Sequence, residues 1–201
     1  MDKAGTIEPK EPKTARGEAT RRALLGAAEK VIGRLGYAEA SIGAITREAG
    51  VAQGTFYIYF KGKDEVFSEL VRDMGRNLRH TITGATAGIS DRLEAEREGL
   101  RAFLTFVAGH PELYRIVQEA LFVDADAYRA YFSTFADGYR QGLEAAALGG
   151  EVRPGDADIR AWALMGIARS LGERAVVFGK TTPIDDVVDS VYDLFVHGLK
   201  R

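Results

Sequence analysis

Ser41-Ile42-Gly43-Ala44-Ile45-Thr46-Arg47-Glu48-Ala49-Gly50-Val51-Ala52-Gln53-Gly54-Thr55-Phe56-Tyr57-Ile58-Tyr59-Phe60 is the stretch that decides the fold. Ser41 is a good N-cap residue, because its hydroxyl can accept a backbone N–H of the first helical turn. Behind it, Ile42, Ile45 and Ala49 recur at the spacing of one buried helix face. The turn Ala49-Gly50-Val51 is followed by a second short helix that buries Val51, Phe56 and Phe60. The remaining residues of that helix, Gln53, Gly54, Thr55, Tyr57 and Tyr59, form a polar and aromatic outer side. Two short helices joined by a glycine turn are the layout of a helix-turn-helix, whose second helix enters the major groove of DNA.

Working outward, a first helix is expected from about Glu18 to Leu35, with Leu24, Ala28, Val31, Ile32 and Leu35 facing inward. Gly36 stands where a left-handed C-cap belongs. On the other side, Asp64 is expected to cap a long fourth helix carrying Val66, Phe67, Leu70, Val71, Met74 and Leu78. Gly84 to Ser90 is a break of small residues. Further helical patterns follow at roughly 91–109, 111–122, 125–147, 156–178 and 184–199, with Pro111 and Pro183 in first-turn positions. No period-two alternation runs long enough for a sheet. The expected fold is all-α with about nine helices.

Residues 1–18 are polar, with Pro9 and Pro12 and little to bury, and read as a disordered arm. The reading head then covers 19–64 and a helical body 65–201. The arm has no apolar core of the secretory kind, and no window approaches the ~18 apolar residues of a membrane span, so a cytoplasmic protein that meets no membrane is expected. The absence of cysteine excludes disulfides, thiolate zinc sites and cysteine nucleophiles. The net charge of −2 hides a division: residues 1–63 carry +4 and the rest −6. A basic head on an acidic body suits a protein that presents one end to phosphates.

The run Gly50-Val-Ala-Gln-Gly-Thr-Phe-Tyr-Ile-Tyr-Phe60 resembles the signature of the tetracycline-repressor (TetR) family of bacterial transcription regulators, usually Gly-Val-Ser-Lys-Gly-Thr-Leu-Tyr-Tyr-His-Phe. The likeness is motif-level over about residues 20–66 and architectural beyond. Ala52, Gln53 and Thr46 depart from the common Ser, Lys and Ala, and losing the lysine removes one charge from the groove. The resemblance implies a ligand-responsive DNA-binding regulator, mostly a repressor. Such a dimer reads a palindromic operator in double-stranded DNA and is released by a small-molecule effector. Gln53, Thr55 and Tyr57 are the base-reading candidates, since Gln can bond an adenine edge and Thr can meet a thymine methyl. Gly54 lets the backbone approach. Tyr59 and Lys63 are the expected phosphate contacts, with Ser41 and Arg47 as additions and Arg16, Arg21 and Arg22 within reach of the neighbouring backbone.

In the body, Tyr128, Tyr131, Phe132, Phe135 and Tyr139 recur at spacings of three and four. Phe103, Phe106, Tyr114, Phe122, Tyr131, Phe135, Trp162 and Met165 are the candidate ligand-binding side chains, although most such aromatics are ordinary core. Arg169, in an otherwise uncharged stretch, would anchor an anionic group on a ligand; it could equally pair with Glu173 or bridge a dimer. Helices 156–178 and 184–199, with Gly166, Ser170 and Gly172 for close approach, are expected to form a four-helix dimer contact.

An enzyme is not expected. His80, His110 and His197 are scattered, with no carboxylate cluster at metal-ligand spacing, so neither a metal nor a cofactor is implied. Phe178-Gly179-Lys180-Thr181 matches the end of a phosphate-binding loop, but the required first glycine is Arg174. The alternative is a helical, acyl-type carrier without DNA function, which would have no use for Gln53, Thr55, Tyr57 and Lys63 together.

Overall fold

In a computed structural model that describes residues 14–199, the chain forms nine α-helices and no strand among the described residues. They are α1 (Ala15–Leu35), α2 (Ile42–Glu48), α3 (Gln53–Tyr59), α4 (Lys63–Thr86), α5 (Arg92–Gly109), α6 (Pro111–Val123), α7 (Ala125–Leu148), α8 (Ala157–Val176) and α9 (Ile184–His197). The fold class is the one the periodicity predicts. Of the expected arm, residues 1–13 lie outside the described residues. The rest does not behave as arm: Thr14 caps α1 by accepting the Gly17 N–H at 3.1 Å, so the helix starts three residues early and includes Arg16.

Local chemistry sets most helix ends. Asp91, Asp124 and Asp156 accept the N–H groups of Glu94, Ala127 and Ile159 at 2.9, 2.9 and 3.0 Å, holding the starts of α5, α7 and α8. Pro111 opens α6 at the one position where its missing N–H is harmless, whereas Pro183 precedes α9 as its cap residue. Asp64 and Glu65 lie inside the first turn of α4, complementing its dipole. The expected break after Gly84 is shorter than the sequence suggests, because α4 continues to Thr86.

The chain divides into two compact units. The head unit holds residues up to Met74 together with Glu112–Arg129, and the body unit holds Gly75–Pro111 and Ala130 onward. The boundary expected after residue 64 leaves α6 in the body, but α6 packs into the head unit. Gly33 of α1 makes that approach possible, since a Cβ there would stand 2.4 Å from the Cβ of Glu112. Glu119 then accepts the Tyr37 N–H at 2.8 Å, and Ser68 donates to Asp124. Head-unit burial follows the predicted stripes: Leu24, Ala28, Val31, Ile32, Ile45, Phe56, Phe60, Val66 and Phe67 are at most 1% exposed. Leu35 departs from its stripe and is exposed, one residue before the helix ends at Gly36.

In the body unit, Leu100 and Leu104 of α5 pack with Val188 and Val191 of α9. Phe103, Ile167, Leu171 and Phe195 cover that cluster. No helix among the described residues is long and apolar enough to cross a membrane.

Candidate nucleic-acid interface and ligand cavity

The turn between α2 and α3 is built by backbone bonds that only glycine serves well. Gly50 has φ +68°, and its N–H donates to the Arg47 carbonyl at 3.2 Å while the Val51 N–H donates to Thr46 at 3.0 Å. That pair of bonds closes the C-terminus of α2 and turns the chain sharply into α3. At the other end of α2, the Ser41 hydroxyl accepts the Ala44 N–H at 3.1 Å, as expected of an N-cap. Thr46, where alanine is common, is buried, and its hydroxyl is satisfied by the Gly43 carbonyl at 3.3 Å.

Helix α3 is fixed from below and open above. Phe56 and Phe60 are fully buried, with ring centroids 5.5 Å apart. This anchoring leaves Gln53, Gly54, Tyr57 and Ile58 exposed, at the i, i+1, i+4, i+5 positions of one helix face. Tyr57 leans its ring edge-on against Phe56 at 5.5 Å, which restricts its rotamers without burying its hydroxyl end. Nothing stands within 4 Å of a Cβ built on Gly54, so another molecule can approach the backbone there. Thr55 and Tyr59 are half-buried, to the sides of this face. Sequence reasoning passed over Ile58. Its signal was an aliphatic side chain on the polar side of an amphipathic helix, and it is 44% exposed.

The basic residues expected around this face separate into two groups. Arg16, Arg22 and Arg47 are exposed. Arg21 instead pairs with Glu69 and lies over the Phe60 ring at 5.2 Å. Lys63 is turned inward: its ammonium donates to the carbonyls of Tyr37 at 2.6 Å and Ala40 at 2.8 Å and stands 4.2 Å from the Tyr37 ring centroid. In this position it braces the loop between α1 and α2 instead of reaching out to a phosphate. The Tyr37 hydroxyl donates to Asp64, and burial together with that carboxylate pushes its phenol up to about 12.

Residues 24–70 match the family model described as bacterial regulatory proteins, tetR family. The head therefore carries the tetR-family signature. The fold extends the likeness beyond the TetR head. FadR, the fatty acid degradation regulator of Bacillus halodurans, superposes with a TM-score of 0.81 at 19% identity, covering 95% of this chain and 100% of that one. FadR of Bacillus subtilis, solved in complex with stearoyl-CoA, gives 0.79 at 20% identity, over 89% and 99%. AibR, solved with isovaleryl coenzyme A and operator DNA, gives 0.72 at 16% identity, over 87% and 97%. At these identities the structures establish a shared fold.

The body unit contains a cavity of about 250 Å³ between the second half of α4, the start of α5 and the middle of α7. Arg79, Thr83, Thr86, Arg92, Glu96 and Tyr139 give it polar groups, and Ile82, Ala95 and Phe135 give it apolar wall. Phe135 is the one candidate ligand residue in this lining. Tyr131 is buried beside it, 5.1 Å between ring centroids. Phe103 covers the α5–α9 core, and Phe106 stacks on His110 at 4.4 Å. Tyr114 is buried in the head unit and Phe122 is exposed on it, because α6 belongs there. Trp162 is 46% exposed on α8, where Met165 is half-buried. Arg169 lies over the Phe132 ring at 5.7 Å and is not part of the cavity lining.

The charged groups in the cavity give no signal in the sequence, where Arg92 and Glu96, four residues apart on a helix, carry no sign of burial. They are paired in the structure, but Glu96 is only 6% exposed and is also hydrogen-bonded to Tyr139. Burial pushes the Glu96 carboxyl up, with the Arg92 guanidinium pulling against it. Burial, and then the Glu96 carboxylate, likewise raise the Tyr139 phenol.

Proposed function

We propose that this chain is a TetR-family regulator that reads a palindromic operator as a homodimer and releases it when a small apolar or amphipathic effector enters the cavity of the body unit. The observation that carries the DNA reading is the face of α3: Gln53, Gly54 and Tyr57 stand exposed on a helix pinned by the fully buried Phe56 and Phe60. Side chains held this way keep the register that base-edge contacts need. Gln53, Tyr57 and Thr55 read bases, Ile58 meets a thymine methyl, and Ser41, Arg47 and Tyr59 meet the backbone.

Dimerisation through α8 and α9 is supported by the apolar surface these helices leave uncovered. Ile159 is 66% and Trp162 46% exposed, Leu194 adds to them, and a Cβ on Gly166 would meet nothing within 4 Å. Two heads related by a two-fold axis match half-sites ~34–36 Å apart. Helix α4 contributes its first half to the head unit and its second half to the cavity. An effector that packs better against one setting of α4 therefore biases the spacing of the heads. The FadR and AibR complexes with acyl-coenzyme A thioesters support an effector of small-molecule type. Repression in the cytoplasm, where the operator is, follows from the same reading.

The test is recovery and sequencing of genomic fragments bound by the full-length protein, alongside its mass in solution. An enriched palindrome is expected, with Tyr57→Ala weakening binding by about 1–3 kcal/mol, the discrimination of one good base contact. No enrichment at low salt would remove the DNA reading. A monomer at micromolar concentration would remove the dimer.

A further inference from the structure

The cavity of the body unit carries more positive charge than its own residues neutralise. Arg92 is committed to Glu96, and Glu96 to Arg92 and Tyr139. Arg79 has no such partner: it makes no hydrogen bond or ion pair among the described residues, and its guanidinium lies 5.4 Å over the Phe135 ring. Its N–H groups are thus uncommitted, and a guanidinium in that state can hold a carboxylate with two parallel bonds. There is a second unsatisfied donor. The Arg92 Nε is buried and has no hydrogen-bond partner, a condition native proteins rarely leave unanswered.

The lining has no acidic group besides Glu96. With Glu96 ionised the cavity holds one uncompensated positive charge. That balance suits a single negative charge on the occupant better than the two of a phosphate monoester. The rest of the lining sets size and polarity. Ile82, Ala95 and Phe135 require an apolar body. About 250 Å³ lies below the ~300–1,000 Å³ that drug-sized ligands occupy. Gly138 of α7 also lines the cavity, and a Cβ built on it would meet nothing within 4 Å. A larger side chain at this position would therefore take volume from the occupant and clash with no neighbour at its Cβ.

We propose that this cavity binds a compact organic monocarboxylate, with Arg79 receiving the carboxylate and Phe135, Ile82 and Ala95 enclosing the hydrocarbon. The assignment rests on the reading of this cavity as the effector site, and it names the class of effector.

Calorimetric titration of the full chain tests it with defined probes: the straight-chain acids from propionate to octanoate, benzoate and phenylacetate, the amides of the same skeletons, and isovaleryl- and stearoyl-CoA. At least one acid saturates the protein, its amide binds at least ~10-fold more weakly, and Arg79→Gln costs a similar factor. Arg79→Lys recovers part of the loss by keeping the charge without the fork. Gly138→Leu removes binding while leaving the circular-dichroism spectrum and thermal melt intact. Four results would each overturn the proposal: no acid saturating at millimolar concentration, amides binding as well as acids, Arg79→Gln without effect, or binding of the thioesters alone.

Operator binding measured in parallel separates the two readings. Acid binding by a chain that retains no genomic DNA keeps the carboxylate site and removes the regulator. Operator binding by a chain that no acid saturates removes the carboxylate site alone.

Discussion

The head unit and the body unit are made of the same kind of helix but are packed to different ends. Among the largest fully buried side chains, all but Leu78 belong to the head unit: Phe56, Phe60, Phe67, Leu24, Ile32, Ile45, Met74 and their neighbours. In the body unit the α5–α9 cluster buries Val188 fully but leaves Leu100, Leu104 and Val191 at 6–8% exposure. That unit also holds a buried charged pair beside a cavity open to solvent, and leaves Ile159 and Trp162 exposed. A surface that reads bases has to hold its side chains in register, and a dense core of large aromatics gives that rigidity. A unit that admits a ligand needs unfilled volume and polar groups not fully satisfied by each other, and these lower its packing quality.

The largest expected effect tests the packing difference directly. Phe56→Ala deletes a fully buried ring beneath α3 and is expected to cost about 3–5 kcal/mol, with loss of operator binding. Leu104→Ala, at a site with half-buried neighbours able to close in, is expected near the low end of the range for such changes, about 2 kcal/mol, with operator binding kept. Urea melts and a binding titration of both variants measure this. Equal losses of stability would mean the two cores are equally tight, and the comparison would fail.

A smaller effect sharpens the view of the head. If Lys63 braces the loop between α1 and α2, Lys63→Met keeps the stem, removes the bonds to the Tyr37 and Ala40 carbonyls, and lowers stability by about 1.5 kcal/mol. The slope of log affinity against log salt then stays as in the parent protein. A phosphate contact predicts the opposite pattern, with little change in the melt and a salt slope smaller by about 1.

The head was readable in the sequence because its determinants are local. Gly50, the Ser41 cap and the spacing of Ile45, Phe56 and Phe60 each act within a turn or two of chain, and each stands where expected. The inward bonds of Lys63 were not legible, because its partners lie more than twenty residues away, in the loop after α1. The ligand site was mostly illegible for the same reason. Arg79, Glu96 and Tyr139 come from three helices, and only their packing makes one cavity of them. The aromatic stripe on α7 was visible, but periodicity gives no hint that Phe135 lines a cavity while Tyr131 is buried beside it. Nor could α6 be assigned to the head before the close approach of Gly33 and Glu112 was seen.

The smallest effect concerns the residue where the head departs most plainly from its family. Ala52 precedes α3 with an extended backbone and offers no side-chain bond to the first turn, where Ser41 at the equivalent place on α2 does. The N-terminal N–H groups of a helix need acceptors, and replacing an alanine cap by serine is worth about 1 kcal/mol. Ala52→Ser is therefore expected to raise the stability of the head by that amount, read as a higher urea midpoint at unchanged slope. Its effect on operator affinity carries the further information. If affinity is unchanged, the uncapped turn is merely a tolerated weakness. If affinity falls while stability rises, those N–H groups are left open for the DNA backbone, and the serine hydroxyl has taken a place that a phosphate oxygen fills.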